Sequence, residues 1–176
     1  TAIAGGEKKA TVAWLDAAST WSPDSITMHG QREGGSIHLA GKKRFVTDAV
    51  AADVILTVIR IADGWAVAPI ERGAKGISVH ATPAMDETRK LADVSFDGAT
   101  IKASDLLVVE NPTDLERAND IATVALCAEL VGTMQWLLDA SLEYAKSRQQ
   151  FDRPIGAFQG VQHQCADMLM YTESSR

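Results

Sequence analysis

The sequence predicts an α+β protein in which an antiparallel β-sandwich or barrel is followed by part of a helical bundle. Three observations carry this. Short runs rich in Val, Ile, Thr and aromatics alternate with turn residues up to residue 107. Helical periodicity without an internal proline takes over after Pro112. No β-α-β alternation occurs in the first part. The division expected is therefore a β domain over 1–108 and a truncated helical domain over 109–176.

In chain order, strands are predicted over 11–15, 25–31, 36–39, 44–47, 54–61, 65–70, 76–80 and 92–96. The separators Glu33-Gly-Gly, Ala62-Asp-Gly and Glu71-Arg-Gly-Ala-Lys-Gly carry the glycines that hairpins use where φ turns positive. Thr113 and Glu116 have the spacing of a capping box. Beyond them Leu115, Ile121, Val124, Leu130, Met134, Leu138 and Leu142 recur at helical intervals, which predicts one long helix to about Arg148. Residues 149–157, with Pro154 and Gly156, read as a connection. Phe158, Val161, Cys165, Met168 and Leu169 mark a second helix with no stop signal before Arg176. An uncapped helix with too few apolar partners predicts a fragment of a longer protein, or half of a swapped assembly.

The 176 residues carry 17 Lys+Arg against 23 Asp+Glu, a net charge of −6, with no basic run longer than Lys42-Lys43-Arg44. That balance argues against nucleic-acid and polybasic membrane binding. With 46% hydrophobic and 23% charged residues, the chain has the composition of a folded globular protein. No apolar stretch is read as approaching the roughly 20 residues of a membrane span, and no signal peptide is recognisable, so the expected location is cytoplasmic. Cys127 and Cys165 lie in no metal or redox pair and are expected to be buried thiols on helix faces. His29, His38, His80 and His163 are scattered, so no metal site is expected. Asp16, Asp24, Asp48 and Asp53 sit beside strand ends, where Asp is favoured for turn hydrogen bonds. GxSxG, Walker and GxGxxG motifs are all missing.

The stretch from Tyr144 to Met168, Tyr144-Ala-Lys-Ser-Arg-Gln-Gln-Phe-Asp-Arg-Pro-Ile-Gly-Ala-Phe-Gln followed by Cys165-Ala-Asp-Met, is the most specific feature. It resembles the acyl-CoA dehydrogenase family, whose pattern there is Y-A-x-x-R-x-Q-F-G-x-P-I, then F-Q and A-D-M on the next helix. Leu39-Ala-Gly-Lys-Lys-Arg-Phe-Val-Thr-Asp-Ala similarly resembles the family's L-N-G-x-K-x-[WF]-I-T-N-[AG] strand. The likeness covers the family's middle β domain and the first one and a half helices of its carboxy-terminal domain.

The resemblance implies FAD and the oxidation of an acyl-CoA thioester at its α and β carbons. A base would take the α proton while hydride passes to the flavin, which an electron-transfer flavoprotein or another acceptor would then reoxidise. It places Thr47 near the flavin ring and Phe45 against it, the alternative for Thr47 being a strand residue satisfied by its own backbone. It places Arg148 on the FAD pyrophosphate of a neighbouring subunit, with Gln150, Phe151 and Gln159 lining the same FAD. A helix-terminal cation is the alternative for Arg148. Homo-oligomers, or hetero-oligomers with a paralogue, are implied as well.

Departures from the family pattern are equally specific. The T-E-P-x-x-G-S-D loop is replaced by Leu15-Asp-Ala-Ala-Ser-Thr-Trp-Ser, which loses a flavin-facing hydroxyl and puts Trp21 where a small residue is usual. Asp48 stands for Asn and Asp152 for Gly, each adding negative charge near the expected FAD. The family's catalytic glutamate falls beyond residue 176, and the alternative position used by some members aligns near Ala122 and Thr123, so no base is assigned within the chain. Three readings follow: a dehydrogenase with its base elsewhere, a noncatalytic paralogous subunit, or a flavin-dependent monooxygenase of the same fold.

Overall fold

A computed structural model of the chain describes residues 2–17, 20–111 and 113–176. Ala18 and Ser19 of the degenerate loop and Pro112 before the long helix lie outside the described residues. The chain forms two compact units, Thr1–Arg117 and Ala118–Arg176.

The first unit is a sandwich. Strands β1 (Ala10–Ala13), β2 (Gly30–Glu33), β3 (Ser36–Thr47), β4 (Val54–Ile61), β5 (Gly64–Glu71), β6 (Ile77–Thr82), β7 (Leu91–Lys102) and β8 (Leu107–Val109) form two four-stranded sheets. Their orders are β1-β4-β5-β8 and β2-β3-β7-β6. Alternation along the strands sends Ile55, Ile59, Ala66, Ala68 and Ile70 from one sheet into a core shared with Ile37, Leu39, Val46, Val94 and Phe96 from the other. A smaller cluster joins Trp14, Leu15, Ile26, Val58 and Leu115.

Several expectations need correction. The pairing of β1 with β4 is parallel, while the other ladders between named strands are antiparallel. The runs 36–39 and 44–47 are one bulged strand, β3, and β7 continues well past residue 96. In both strands a glycine with positive φ, Gly41 or Gly98, imitates a turn in the sequence. Residues 25–29 do not form a strand: Pro23–Ser25 is a 3-10 turn, and Asp16 takes up the Thr27 and Met28 N–H groups that a ladder would need.

The second unit contains most of α1 (Thr113–Ser147) and α2 (Gln159–Ser174). Thr113 is the first helical residue rather than a cap. Asn111 fills that role, accepting the Thr113 N–H on its side chain at 3.2 Å and the Asp114 N–H on its carbonyl at 2.9 Å. The connection between the helices is itself ordered as a hairpin of β9 (Gln149–Gln150) and β10 (Arg153–Pro154). Contrary to expectation, Cys127 is exposed and Cys165 half-buried.

The expectation about membrane spans also fails for α1. This helix is long and apolar enough to cross a membrane by length and composition, since residues 121–138 carry Glu129 as their one charge. The central helix of a bundle has the same length and composition.

Candidate functional site

The sheet unit presents its predicted site residues at the end of β3. Residues Arg44 and Phe45 stand opposite the single residue Asp93 of β7, a bulge that turns Phe45 to φ +52°. Phe45 is 36% exposed, and the Arg44 guanidinium lies 4.6 Å from the centre of its ring. Two residues on, Thr47 lines a cleft of about 410 Å³ together with Lys9, Ala10, Thr11, Asp48, Ala51 and Ala52. Its backbone carbonyl accepts the Thr11 hydroxyl, whereas its own hydroxyl makes no hydrogen bond to a described residue. The alternative in which Thr47 satisfies itself on the backbone is therefore not observed. Asp48 follows at φ +53°, which accounts for the usual Asn: a short polar side chain tolerates this region best.

Behind the bulge lies a buried ion pair. Lys43 Nζ is 2.6 Å from Asp16 Oδ1 and donates to the Trp14 carbonyl at 2.9 Å, with both charged side chains removed from water. Asp16 Oδ2 accepts the Thr27 and Met28 N–H groups and the Thr27 hydroxyl. Burial works against the Asp16 charge, but Lys43 and the two N–H groups outweigh it and hold the carboxyl below the usual range. Burial pulls Lys43 below the usual lysine range in spite of its partner. The acid retained in the degenerate loop thus ties that loop to β3. Sequence reasoning missed this function. The available signal was a triple basic run inside a strand, where one lysine must point inward.

Leu15 is buried in the smaller core cluster, and its carbonyl accepts the Arg44 N–H at 2.8 Å. Trp21 is 55% exposed and its ring centre is 6.5 Å from that of Trp14.

In the helical unit, Arg148 follows α1 directly. Its N–H donates to Tyr144 O at 2.8 Å and its carbonyl accepts the Ile155 N–H at 2.9 Å, closing the base of the β9–β10 hairpin. The guanidinium is exposed and forms no ion pair or side-chain hydrogen bond with described residues. At the hairpin tip Phe151 and Asp152 have φ +54° and +58°, as in a type I′ turn, so the Gly expected at 152 is a backbone requirement. Gln150 and Phe151 line a cleft of about 430 Å³ with Phe158 and Val161. The rings of Phe151 and Phe158 meet edge to face at 6.0 Å, and the Arg153 guanidinium lies 4.1 Å from the Phe158 ring centre. Gln159 is exposed as the first residue of α2, and neither it nor Arg148 lines that cleft. Among the described residues no His, Cys, Asp and Glu side chains cluster as a metal site would require.

A family model described as acyl-CoA dehydrogenase, C-terminal domain, matches residues 117–176. An acyl-CoA dehydrogenase of Bacillus subtilis is 28% identical over 190 aligned residues, covering 99% of this chain and 48% of that protein. The chain belongs to the acyl-CoA dehydrogenase family. Within this family, the acyl-CoA dehydrogenase FadE34 of Mycobacterium tuberculosis is 48% identical over 60 residues, 34% of this chain and 8% of that one. The solved structure of PigA with FAD and proline superposes with a TM-score of 0.88 at 27% identity, over 98% of this chain and 48% of that chain. The chain spans half or less of the length of these relatives.

Proposed function

We propose that the protein containing this chain is an FAD-dependent oxidoreductase that dehydrogenates an acyl thioester, with acyl-CoA as the substrate class. The observation that carries this reading is Thr47: an uncommitted hydroxyl on a cleft, two residues after an aromatic ring held out by a bulge. The residues fit the cofactor, since an unpaired guanidinium at Arg148 suits two phosphate oxygens. FAD bound here would supply the hydride acceptor. Phe45 would pack against its ring and Thr47 would donate a hydrogen bond to it. Arg148, Gln150, Phe151 and Gln159 would bind the cofactor of a neighbouring subunit. The base belongs to the part of the protein outside this chain, and an electron-transfer flavoprotein or other acceptor would remove the electrons. We further place the protein in the cytoplasm, in line with its two free thiols, and in a homo-oligomer or a complex with a paralogue.

The deciding experiment is the visible spectrum of the whole protein before and after adding acyl-CoA thioesters. A flavin spectrum that bleaches supports the dehydrogenase. Arg148→Ala should weaken FAD binding roughly 10- to 100-fold, the effect of one charge-assisted hydrogen-bond set; unchanged occupancy would remove Arg148 from the site. Burial of Leu15 at the loop position where relatives place a flavin-facing hydroxyl favours a second reading, the noncatalytic partner subunit. A colourless protein that gains flavin only with a paralogue would select it.

A further inference from the structure

Asp93, the third residue of β7, is an acid within a strand, where acids are disfavoured unless the charge is used. It stands alone opposite Arg44 and Phe45 where the β3–β7 register shifts. Its carboxylate is largely buried, with Oδ2 2.6 Å from Lys42 Nζ and Oδ1 3.9 Å from Arg44 Nε. Oδ1 is shut off from water and receives no hydrogen bond, with the Arg44 guanidinium facing it. The Lys42 hydrogen bond, against the cost of burial, keeps the carboxyl below the usual range, with the Lys42 charge, the Phe45 N–H and Arg44 adding to it.

These contacts meet on one bulge. A bulge leaves an unpaired residue on the longer strand, and here that region includes Phe45 in a backbone conformation that bulky residues rarely adopt. Something must stabilise it. We propose that Asp93 is a positioning residue for Phe45: it anchors the bulge through Lys42 and Arg44, the residues just before Phe45 and on either side of Lys43, and so sets where the aromatic ring stands beside the flavin. Arg44, stacked on the ring and facing the carboxylate, links the anchor to the aromatic face. The flavin part of this inference rests on the proposed reading of Phe45; the anchoring part does not.

The test uses the whole FAD-loaded protein and two readouts, amide hydrogen exchange over residues 42–47 and the circular dichroism of the flavin band. In Asp93→Ala, exchange over 42–47 should quicken roughly tenfold while the rest of β3 stays protected. The flavin signal should change as it does in Phe45→Leu, and the double variant should add little beyond either single one. Asp93→Glu should restore part of both readouts. Should Asp93→Ala fail to fold, Asp93→Asn serves in its place: it retains an acceptor without the charge and should quicken the same amides severalfold. Unchanged exchange over 42–47 in the folded variants overturns the proposal. A flavin signal altered by Phe45→Leu and untouched by Asp93→Ala overturns it too. If exchange quickens but neither Phe45→Leu nor Asp93→Ala alters the flavin signal, the anchor stands and the flavin reading of Phe45 falls.

Discussion

The two units treat similar side chains differently. In the sheet unit Leu39, Val46, Ile55, Ile59 and Val94 are lost from the surface between facing sheets. In α1, Ile121, Val124, Leu130 and Trp136 remain mostly exposed, Trp136 at 68%. A strand shows its apolar residues on one face and needs one partner layer, whereas a helix apolar on all sides needs to be surrounded. The comparison teaches that the sheet unit carries its own stabilising core, while the helical unit presents a surface suited to further helices.

The largest expected effect tests how self-contained the sheet unit is. Lys43→Met leaves the Asp16 charge buried without its partner and should cost about 3–5 kcal/mol, read by urea denaturation. A loss below about 1 kcal/mol would mean that the Trp14–Met28 loop does not depend on the pair. Next come matched truncations. Leu39→Ala should cost about 2–5 kcal/mol through cavity formation, and Leu130→Ala should stay within about 0.5 kcal/mol in this chain. Equal losses would erase the contrast between the units. In a complete bundle the Leu130 cost should rise toward the core value.

Acid sharpens the same contrast. The Asp16 carboxyl lies below its ordinary value of 3.8 in the folded chain. Above that value its contribution is fully present. As pH falls below it, the unfolded chain takes up a proton before the folded one does, so stability drops until the folded value is reached. Denaturation midpoints between about pH 4 and pH 2 should therefore fall less steeply in Asp16→Asn than in the wild type. Parallel slopes would show that Asp16 is not the group being titrated.

How much could be read from the sequence follows the range of the interaction involved. β4 was legible from residue 54 to residue 61 because β-branched residues fill one nearly continuous apolar run of strand length. β3 was read as two pieces because Gly41 looks like a turn, and only pairing with β7 makes it a continuous strand. The capping role went to Thr113 because its spacing to Glu116 is visible, although Asn111 performs it. Phe45, Thr47, Arg148, Gln150, Phe151 and Gln159 were found through motif resemblance, and nothing in their spacing alone revealed a site. The Asp16–Lys43 pair and the Asp93 anchor escaped because each depends on residues distant in sequence meeting across the fold.

The smallest effect concerns the hairpin tip. Asp152 was read as a charge placed against phosphate, yet its φ of +58° makes it first a backbone problem. Asp152→Gly removes both the Cβ strain and the charge, while adding freedom to the unfolded chain, so the net gain in stability should be no more than about 1 kcal/mol. Asp152→Asn separates the two contributions: it removes the charge while retaining a residue that tolerates the left-handed region. If both variants tighten FAD equally in the whole protein, the charge is the element that weakens the site. If only the glycine variant does so, the turn is the cause, and the departure at 152 acts by loosening the hairpin that presents Gln150 and Phe151.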